Sequence, residues 1–106
     1  MMSLHVLVTG ANGFVGRAVC AQALACGMTV RGAVRRPCVL PAGAECQVLE
    51  GLGEQSDWRA ALAGIDVVVH AAARVHVMAD TATDPLAEFR RVNVQGTLNL
   101  ARQAAF

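Results

Sequence analysis

The chain of 106 residues has no tyrosine and no lysine, so all nine of its basic residues are arginine. Tyrosine and lysine with a lowered pKa are common general acids and bases, and chemistry that depends on either is excluded within these residues. Three histidines remain, His5, His70 and His76, and the sequence identifies no carboxylate or serine partner for them. We therefore favour structural roles over catalytic ones for all three.

Long apolar runs and strong net charge are also absent. The apolar runs are far shorter than the roughly 20 residues that span a bilayer, and no basic segment precedes the first of them. The formal net charge is +1, which gives no reason to expect nucleic acid or an anionic membrane as a partner. We expect a cytoplasmic protein with neither a membrane anchor nor a signal peptide.

Four cysteines are present, but their spacing predicts no metal site. No two of them form a C-x-x-C pair, and no histidine stands beside them at zinc-ligand spacing. Reduced thiols in a cytoplasmic protein are the favoured interpretation. These cysteines are Cys20, Cys26, Cys38 and Cys46.

Residues 4–16 are the most informative stretch of the chain. Residues 4–8 form an almost continuous apolar run that predicts a buried strand, and Phe14 begins an apolar segment that predicts a helix. A glycine turn between a strand and a helix exposes unpaired N–H groups and partial positive charge, which suit a diphosphate. We favour a dinucleotide site over an ordinary turn. The glycines are Gly10, Gly13 and Gly16.

Strands and helices alternate along the whole chain, which implies a parallel sheet with right-handed crossovers. The predicted strands are residues 4–8, 28–34, 46–49 and 66–71. The predicted helices are residues 14–26, 56–63 and 84–106. The fold class is therefore α/β: a partial, Rossmann-like doubly wound parallel sheet of about four strands in the order 3-2-1-4. We expect residues 1–106 to be the N-terminal part of an NAD(P)-binding domain in a longer protein, without its substrate domain.

The last predicted helix has a clear start and one predicted flank. Asp84 suits the N-cap, and Pro85 suits the first helical position. We expect one side of this helix to pack at helical spacing. Its members are Leu86, Phe89, Asn93, Gly96, Thr97 and Leu100.

Two arginines indicate which dinucleotide binds. NAD-binding domains usually place an acidic residue at the end of the second strand, where it bonds the ribose 2′-hydroxyl. Arg35 and Arg36 stand at that point in this chain. A guanidinium pairs with a 2′-phosphate that a carboxylate would repel, so we favour NADP and keep NAD as the alternative.

Three segments, in order, carry a resemblance to a family. Residues 9–16, TGANGFVG, resemble the TGxxGF(I/V)G fingerprint of extended short-chain dehydrogenase/reductases. Residues 66–73, DVVVHAAA, and residues 92–100, VNVQGTLNL, are similar to two further motifs of that family. The subgroup most resembled is the NAD-dependent epimerases and dehydratases of nucleotide sugars, including UDP-glucose 4-epimerase-like enzymes. Residues 30–35, VRGAVR, also resemble NADP-using dihydroflavonol-reductase-type members.

The resemblance, with the glycine turn and the arginine pair, implies a set of cofactor-binding residues. The glycines would line the pyrophosphate, the helix start would offer amides, and small residues after the fourth strand would lie against the cofactor. For the asparagine on the last helix we favour a structural role. The set is Gly10, Asn12, Gly13, Phe14, Val15, Gly16, Arg35, Arg36, Ala71, Ala72, Ala73 and Asn93.

The implied activity is transient hydride transfer at a carbon of a nucleotide sugar. A reductase of the same family and a non-catalytic dinucleotide-binding module stay as alternatives. The family's Tyr-x-x-x-Lys pair is not among these residues, so we expect the chain alone to be inactive. Glu50 stands near the place of the family's adenine-contacting aspartate, but is misplaced for that contact. We expect a homodimeric parent, and self-association of this chain through an uncovered sheet edge.

Overall fold

A computed structural model describes residues 4–49, 56–72 and 85–105 of the chain. Its four strands are parallel and lie in the order β3-β2-β1-β4. They are β1 (His5–Thr9), β2 (Thr29–Val34), β3 (Glu45–Val48) and β4 (Val67–His70). The predicted α/β class and the predicted strand order are both confirmed.

Helices cover both faces of this sheet. They are α1 (Phe14–Ala25), α2 (Arg59–Leu62), α3 (Pro85–Arg90), a π-helix (Arg91–Gly96) and α4 (Thr97–Ala104). α1 ends where the sequence predicts: Gly27 has φ +84°, and Met28 donates its N–H to the Ala23 carbonyl at 3.0 Å. Gly27 also donates its N–H to the Leu24 carbonyl at 3.0 Å, which completes a Schellman cap. None of the helices within the described ranges is long and apolar enough to cross a membrane.

The core is divided by the sheet into two layers, because alternate residues of β1 point to opposite faces. One layer packs α1 against the sheet; its buried members are Val6, Val8, Ala11, Cys20, Ala23, Val30 and Val34. The other packs α2 and α4 against the opposite face; its buried members are Leu7, Ala33, Trp58, Ala61 and Leu100. β1 is therefore the central strand. Burial also raises the pKa of the Cys20 thiol, which keeps that side chain protonated.

Arg31 fixes α2 on the sheet in a way that the sequence pattern does not predict. Its Nη1 donates to the carbonyls of Ala61 and Ala63, each at 2.8 Å, at the end of α2. Its Nε donates to Oε2 of Glu45 on β3 at 3.2 Å. A guanidinium from β2 thus caps the carboxyl end of a helix of only four residues.

The start of α2 lies slightly later than predicted. The helix begins at Arg59 rather than at residue 56 or 57. Asp57 still supplies a capping oxygen, because its Oδ1 accepts the Arg59 N–H at 3.0 Å. The Arg59 guanidinium also donates to this carboxylate, and these hydrogen bonds lower the pKa of Asp57 to about 2.

α4 is tied to the segment before α2 by two amide side chains. Asn99 Nδ2 and Gln103 Nε2 both donate to the Ser56 carbonyl at 2.8 Å. Gln103 Oε1 accepts the N–H of Trp58 at 2.7 Å. These bonds fix the height and rotation of α4 over the sheet.

Four members of the predicted flank of the last helix, Asn93, Gly96, Thr97 and Leu100, are buried or partly buried. Leu100 is buried, but Leu86 is 60 % exposed. The physical reason is the π-helix Arg91–Gly96, which interrupts the α-helical period between them. Asp84 lies outside the described residues.

Candidate functional site

The glycine turn joins β1 to α1 by close backbone contacts. Gly10 has φ +61°, and a Cβ built on it would lie 2.8 Å from Cα of Ala72, beyond the end of β4. Its carbonyl accepts the N–H of Gly13 at 3.0 Å. A Cβ on Gly16 would overlap that same carbonyl and lie 2.9 Å from Cα of Ala11. The turn can therefore form in this shape only with glycine at positions 10 and 16.

Gly13 has a different role, because it leaves an open surface at the helix start. A Cβ there would meet, among the described residues, only the Gly10 carbonyl oxygen, at 3.3 Å. Gly13 is the N-cap of α1, and its carbonyl accepts the first intrahelical bond, from Arg17 N–H at 2.9 Å. The amides of Phe14, Val15 and Gly16 therefore precede the first helical hydrogen bond donor.

The N-terminus of α1 carries no capping side chain, and its first turn contains no acidic residue. Phe14 is 96 % exposed and Val15 is 60 % exposed, and Asn12 is exposed as well. An exposed aromatic ring at this point offers an apolar surface next to a positively polarised helix end. The arrangement suits an anionic group that also carries flat apolar parts.

The carboxyl ends of β1, β2 and β4 meet at one edge of the sheet beside this turn. Ala71 and Ala72 follow β4 and are partly buried there. Arg35 and Arg36 follow β2 directly, and both are exposed. In doubly wound sheets this edge is where ligands bind.

Arg17 ties the segment after β2 to the glycine turn. Its Nη2 donates to the Val39 carbonyl at 2.7 Å, and its Nε donates to the Asn12 carbonyl at 3.3 Å. The loop that begins with Arg35 and Arg36 is thereby held against the first turn of α1. The sequence reasoning did not identify this role for Arg17.

His70 stands at the centre of a polar chain that links three elements. Its Nδ1 lies 2.7 Å from Thr9 Oγ1, and its Nε2 lies 3.1 Å from Thr97 Oγ1. Thr97 donates its hydroxyl to the Asn93 carbonyl at 2.9 Å, and Thr9 Oγ1 accepts the N–H of Ala72 at 3.1 Å. Burial lowers the pKa of His70, which favours the neutral ring.

The structure brings most of the predicted site residues together and leaves some outside its description. The glycine turn, Ala71, Ala72 and the two arginines share one edge of the sheet. Asn93 is partly buried in the π-helix, and its backbone carbonyl accepts the hydroxyl of Thr97, whose oxygen contacts His70. Ala73, Glu50 and His76 lie outside the described residues.

The sequence reasoning missed the two threonines that hold His70. The signal available was a polar pair, Thr9 and His70, at the ends of two otherwise apolar strands. Strand ends at one edge of a parallel sheet lie side by side, and here the two residues are paired in register. Thr97, which is 27 positions from His70, gives no local signal.

Comparison with known proteins identifies the family. The profile of the NAD dependent epimerase/dehydratase family matches residues 6–105. The chain belongs to this family. The match begins at the second residue of β1 and continues past the end of α4.

Two curated relatives show the range of activities in the family. The chain is 39 % identical over 104 residues to a UDP-glucose 4-epimerase of Vibrio cholerae, covering 97 % of this chain and 31 % of that protein. It is 40 % identical over 101 residues to a 3 beta-hydroxysteroid dehydrogenase/Delta 5-->4-isomerase of Mycobacterium tuberculosis, covering 91 % and 27 % respectively. The chain thus spans less than a third of the length of either relative.

Two solved structures of similar fold contain dinucleotides. A short-chain dehydrogenase/reductase superfamily protein from Agrobacterium tumefaciens with bound NAD is 35 % identical, with a TM-score of 0.69 over 94 % of this chain and 28 % of that chain. Gre2 from Candida albicans in complex with NADPH is 26 % identical, with a TM-score of 0.77 over 93 % and 32 %. Both dinucleotides therefore occur on this fold among proteins similar to this chain.

Proposed function

We propose that this chain is the dinucleotide-binding part of an NAD(P)-dependent epimerase or dehydratase that acts on a nucleotide sugar. The observation that carries the proposal is the uncapped N-terminus of α1 behind a glycine turn at the carboxyl edge of the sheet. The relatives include a UDP-glucose 4-epimerase, which supports a nucleotide sugar as the substrate.

The residues present fit a diphosphate at the start of α1. Gly13 leaves its surface open, and the amides of Phe14, Val15 and Gly16 come before the first intrahelical bond. These groups supply hydrogen bond donors and the positive end of the helix dipole without any desolvated side-chain charge. Ala72, with its single methyl group, leaves room along the strand end for the rest of the cofactor.

NADP is the favoured cofactor because two guanidinium groups follow β2. Arg35 and Arg36 are exposed, and Arg17 holds their loop against the turn through the Val39 carbonyl. A guanidinium can make a bidentate contact with the dianionic 2′-phosphate of NADP. The neutral 2′-hydroxyl of NAD is a much weaker partner for it.

When it is bound, the nicotinamide supplies hydride acceptance and return. The residues of this chain would bind and orient the dinucleotide, and the family's Tyr-x-x-x-Lys pair is not among the 106 residues, since tyrosine and lysine are absent. We therefore expect binding without turnover from this chain alone.

Isothermal titration of the chain with NADP and with NAD tests the proposal. We expect tighter binding of NADP, and we expect Arg35→Ser to weaken NADP about 10- to 100-fold while NAD binding changes little, because a charged hydrogen bond is lost. Arg102→Ser, which removes an exposed arginine on α4, is the matched control and is expected to alter neither affinity. Failure of the wild-type chain to bind either dinucleotide would refute the proposal, and tighter binding of NAD would refute the cofactor preference.

A reductase of the same family is the second candidate. Residues 30–35 carry the resemblance to NADP-using reductases, and the relatives include a steroid dehydrogenase. Tritium from labelled NADPH distinguishes the two when a protein containing this chain together with a Tyr-x-x-x-Lys pair is assayed. Net transfer of label to a ketone substrate supports the reductase, and interconversion of nucleotide sugars without net oxidation supports the epimerase.

A further inference from the structure

We propose that His70, as the neutral tautomer with its proton on Nε2, is a positioning residue that joins the end of β4 and the helix carrying Asn93 to the glycine turn. The inference rests on the proposed function, since its consequence is measured as dinucleotide affinity. The mechanism is a one-directional chain of hydrogen bonds through the ring.

The direction of the chain is fixed at its helical end. The Thr97 hydroxyl donates its only proton to the Asn93 carbonyl at 2.9 Å. Thr97 Oγ1 can therefore only accept from His70 Nε2, which lies 3.1 Å away. The proton of the neutral ring must sit on Nε2, and Nδ1 must be an acceptor.

The other end of the chain agrees with this tautomer. Thr9 Oγ1 accepts the N–H of Ala72 at 3.1 Å and lies 2.7 Å from His70 Nδ1. The Thr9 hydroxyl proton is thus available for Nδ1. Both ring nitrogens of His70 therefore have a partner in the protein, and neither is left for a substrate.

The chain ends at atoms that shape the dinucleotide site. Thr9 is the residue before Gly10, and Ala72 lies so close to Gly10 that an added Cβ would be 2.8 Å from its Cα. The Thr9 hydroxyl therefore fixes the distance between the glycine turn and Ala72, which follows β4. Because His70 contacts both Thr9 and Thr97, a shift of α4 would change this distance.

Protonation of the ring would break this arrangement. A proton on Nδ1 turns the acceptor into a donor, and the Thr9 hydroxyl would have to reverse and lose its own acceptor. The groups that meet the ring are Thr9 from β1 and Thr97 from α4, with Asn93 from the π-helix behind Thr97. None of these three side chains is titratable. These neighbours therefore offer no counter-charge to a cationic ring. Because the ring is also partly buried, the cation would lose part of its hydration as well.

The tautomer is measured by nitrogen NMR on the unliganded chain labelled with ¹⁵N-histidine. We expect His70 to show a protonated Nε2 and an unprotonated Nδ1 at pH 7.5. A protonated Nδ1, a cationic ring or an exchanging mixture of tautomers at His70 would overturn the inference. This readout needs no dinucleotide, so it stands even if the proposed function fails.

The functional consequence is measured with Thr97→Val and His70→Gln, titrated with NADP. We expect each to weaken NADP affinity about 2- to 10-fold, and the double variant to lose no more than the larger single loss, because both substitutions break one chain. Thr29→Val is the matched control, because Thr29 is an exposed threonine that takes no part in these hydrogen bonds, and it should bind NADP like wild type. Fully additive losses, or wild-type affinity in both single variants, would overturn the inference.

A pH profile separates positioning from a general loss of stability. We expect the NADP affinity of the wild-type chain to fall as pH decreases through the pKa of His70, and the profile of His70→Gln to lack this step. Identical profiles for the two proteins would refute the role of the ring. If wild type binds no dinucleotide at any pH, the proposed function fails, and the nitrogen spectrum alone decides the tautomer.

Discussion

Replacing Gly16 by alanine should both destabilise the protein and weaken dinucleotide binding. The new Cβ would overlap the Gly10 carbonyl oxygen and lie 2.7 Å from the Gly10 carbonyl carbon and 2.9 Å from Cα of Ala11. All three obstacles are backbone atoms, so no side chain can rotate away. Since carbon atoms normally approach to about 3.5 Å, α1 must move away from the turn by about 1 Å.

The size of the effect follows from two opposing terms. Alanine is favoured over glycine within a helix by roughly 0.5–1 kcal/mol. Overpacking of a rigid site costs typically 1–3 kcal/mol, and here the neighbouring atoms belong to the backbone, which cannot rotate away. We expect a net loss of about 1–2 kcal/mol in the free energy of unfolding. The displaced helix start should also lower NADP affinity by at least about tenfold, because the amides no longer converge on the diphosphate.

Urea denaturation and NADP titration measure the two losses, and Gly27→Ala is the matched control. Gly27 has φ +84° and open space around it, so its substitution costs backbone strain of about 1 kcal/mol without a clash. It lies at the opposite end of α1, and NADP affinity should stay at the wild-type level. The steric argument is refuted if Gly16→Ala unfolds at the wild-type midpoint, or if Gly27→Ala weakens NADP as much as Gly16→Ala does.

Three further results are expected. Arg31→Lys should lower the free energy of unfolding by about 1–3 kcal/mol, since an ammonium group cannot bond two carbonyls at the end of α2 and Glu45 together. The exposed control Arg102→Lys should change this free energy little, and equal midpoints of the two variants in urea would contradict the reasoning. Burial lowers the pKa of His70 below 6.5, so its contribution to stability is present above about pH 6.5 and is lost as the pH falls below it; denaturation at several pH values should show this slope in wild type and a smaller one in His70→Gln. Val67, 42 % exposed on the edge strand β4, should promote self-association that Val67→Lys reduces, and sedimentation of a monomer by the wild-type chain at about 50 μM would refute it.

The fold was predictable because its signals are local and repeated. Apolar runs of strand length alternate with helical segments, and that order leaves few topologies for a parallel sheet. Gly27 illustrates the precision that is possible: a glycine directly after an apolar helix predicts the left-handed cap that the structure contains. The glycine turn was predictable in the same way, because the contacts that join Gly10, Gly13 and Gly16 to one another lie within a few residues.

The polar contacts that join separate elements of the fold were not predictable, because their residues are far apart in sequence. Thr9 and His70 are 61 positions apart, and Arg31 reaches the end of α2 across 30 positions. From the sequence alone, an arginine or a threonine at these positions could equally well face solvent. The sheet order and register are needed to place their partners. Once the register pairs Thr9 with His70, the contact between them follows from geometry.

The π-helix explains why Leu86 departs from the rest of the predicted flank, and it connects that departure to the site. In a continuous α-helix, the fourteen steps from Leu86 to Leu100 turn through about 1,400°, which would place both side chains within about 40° of each other. One additional residue in a π turn rotates everything after it by about 100°, so the two directions differ by about 140°. That rotation matches an exposed Leu86 and a buried Leu100, and it turns Thr97 towards His70. The irregular turn therefore aligns α4 with both the core and the polar chain, and an amphipathic period read across it has to fail.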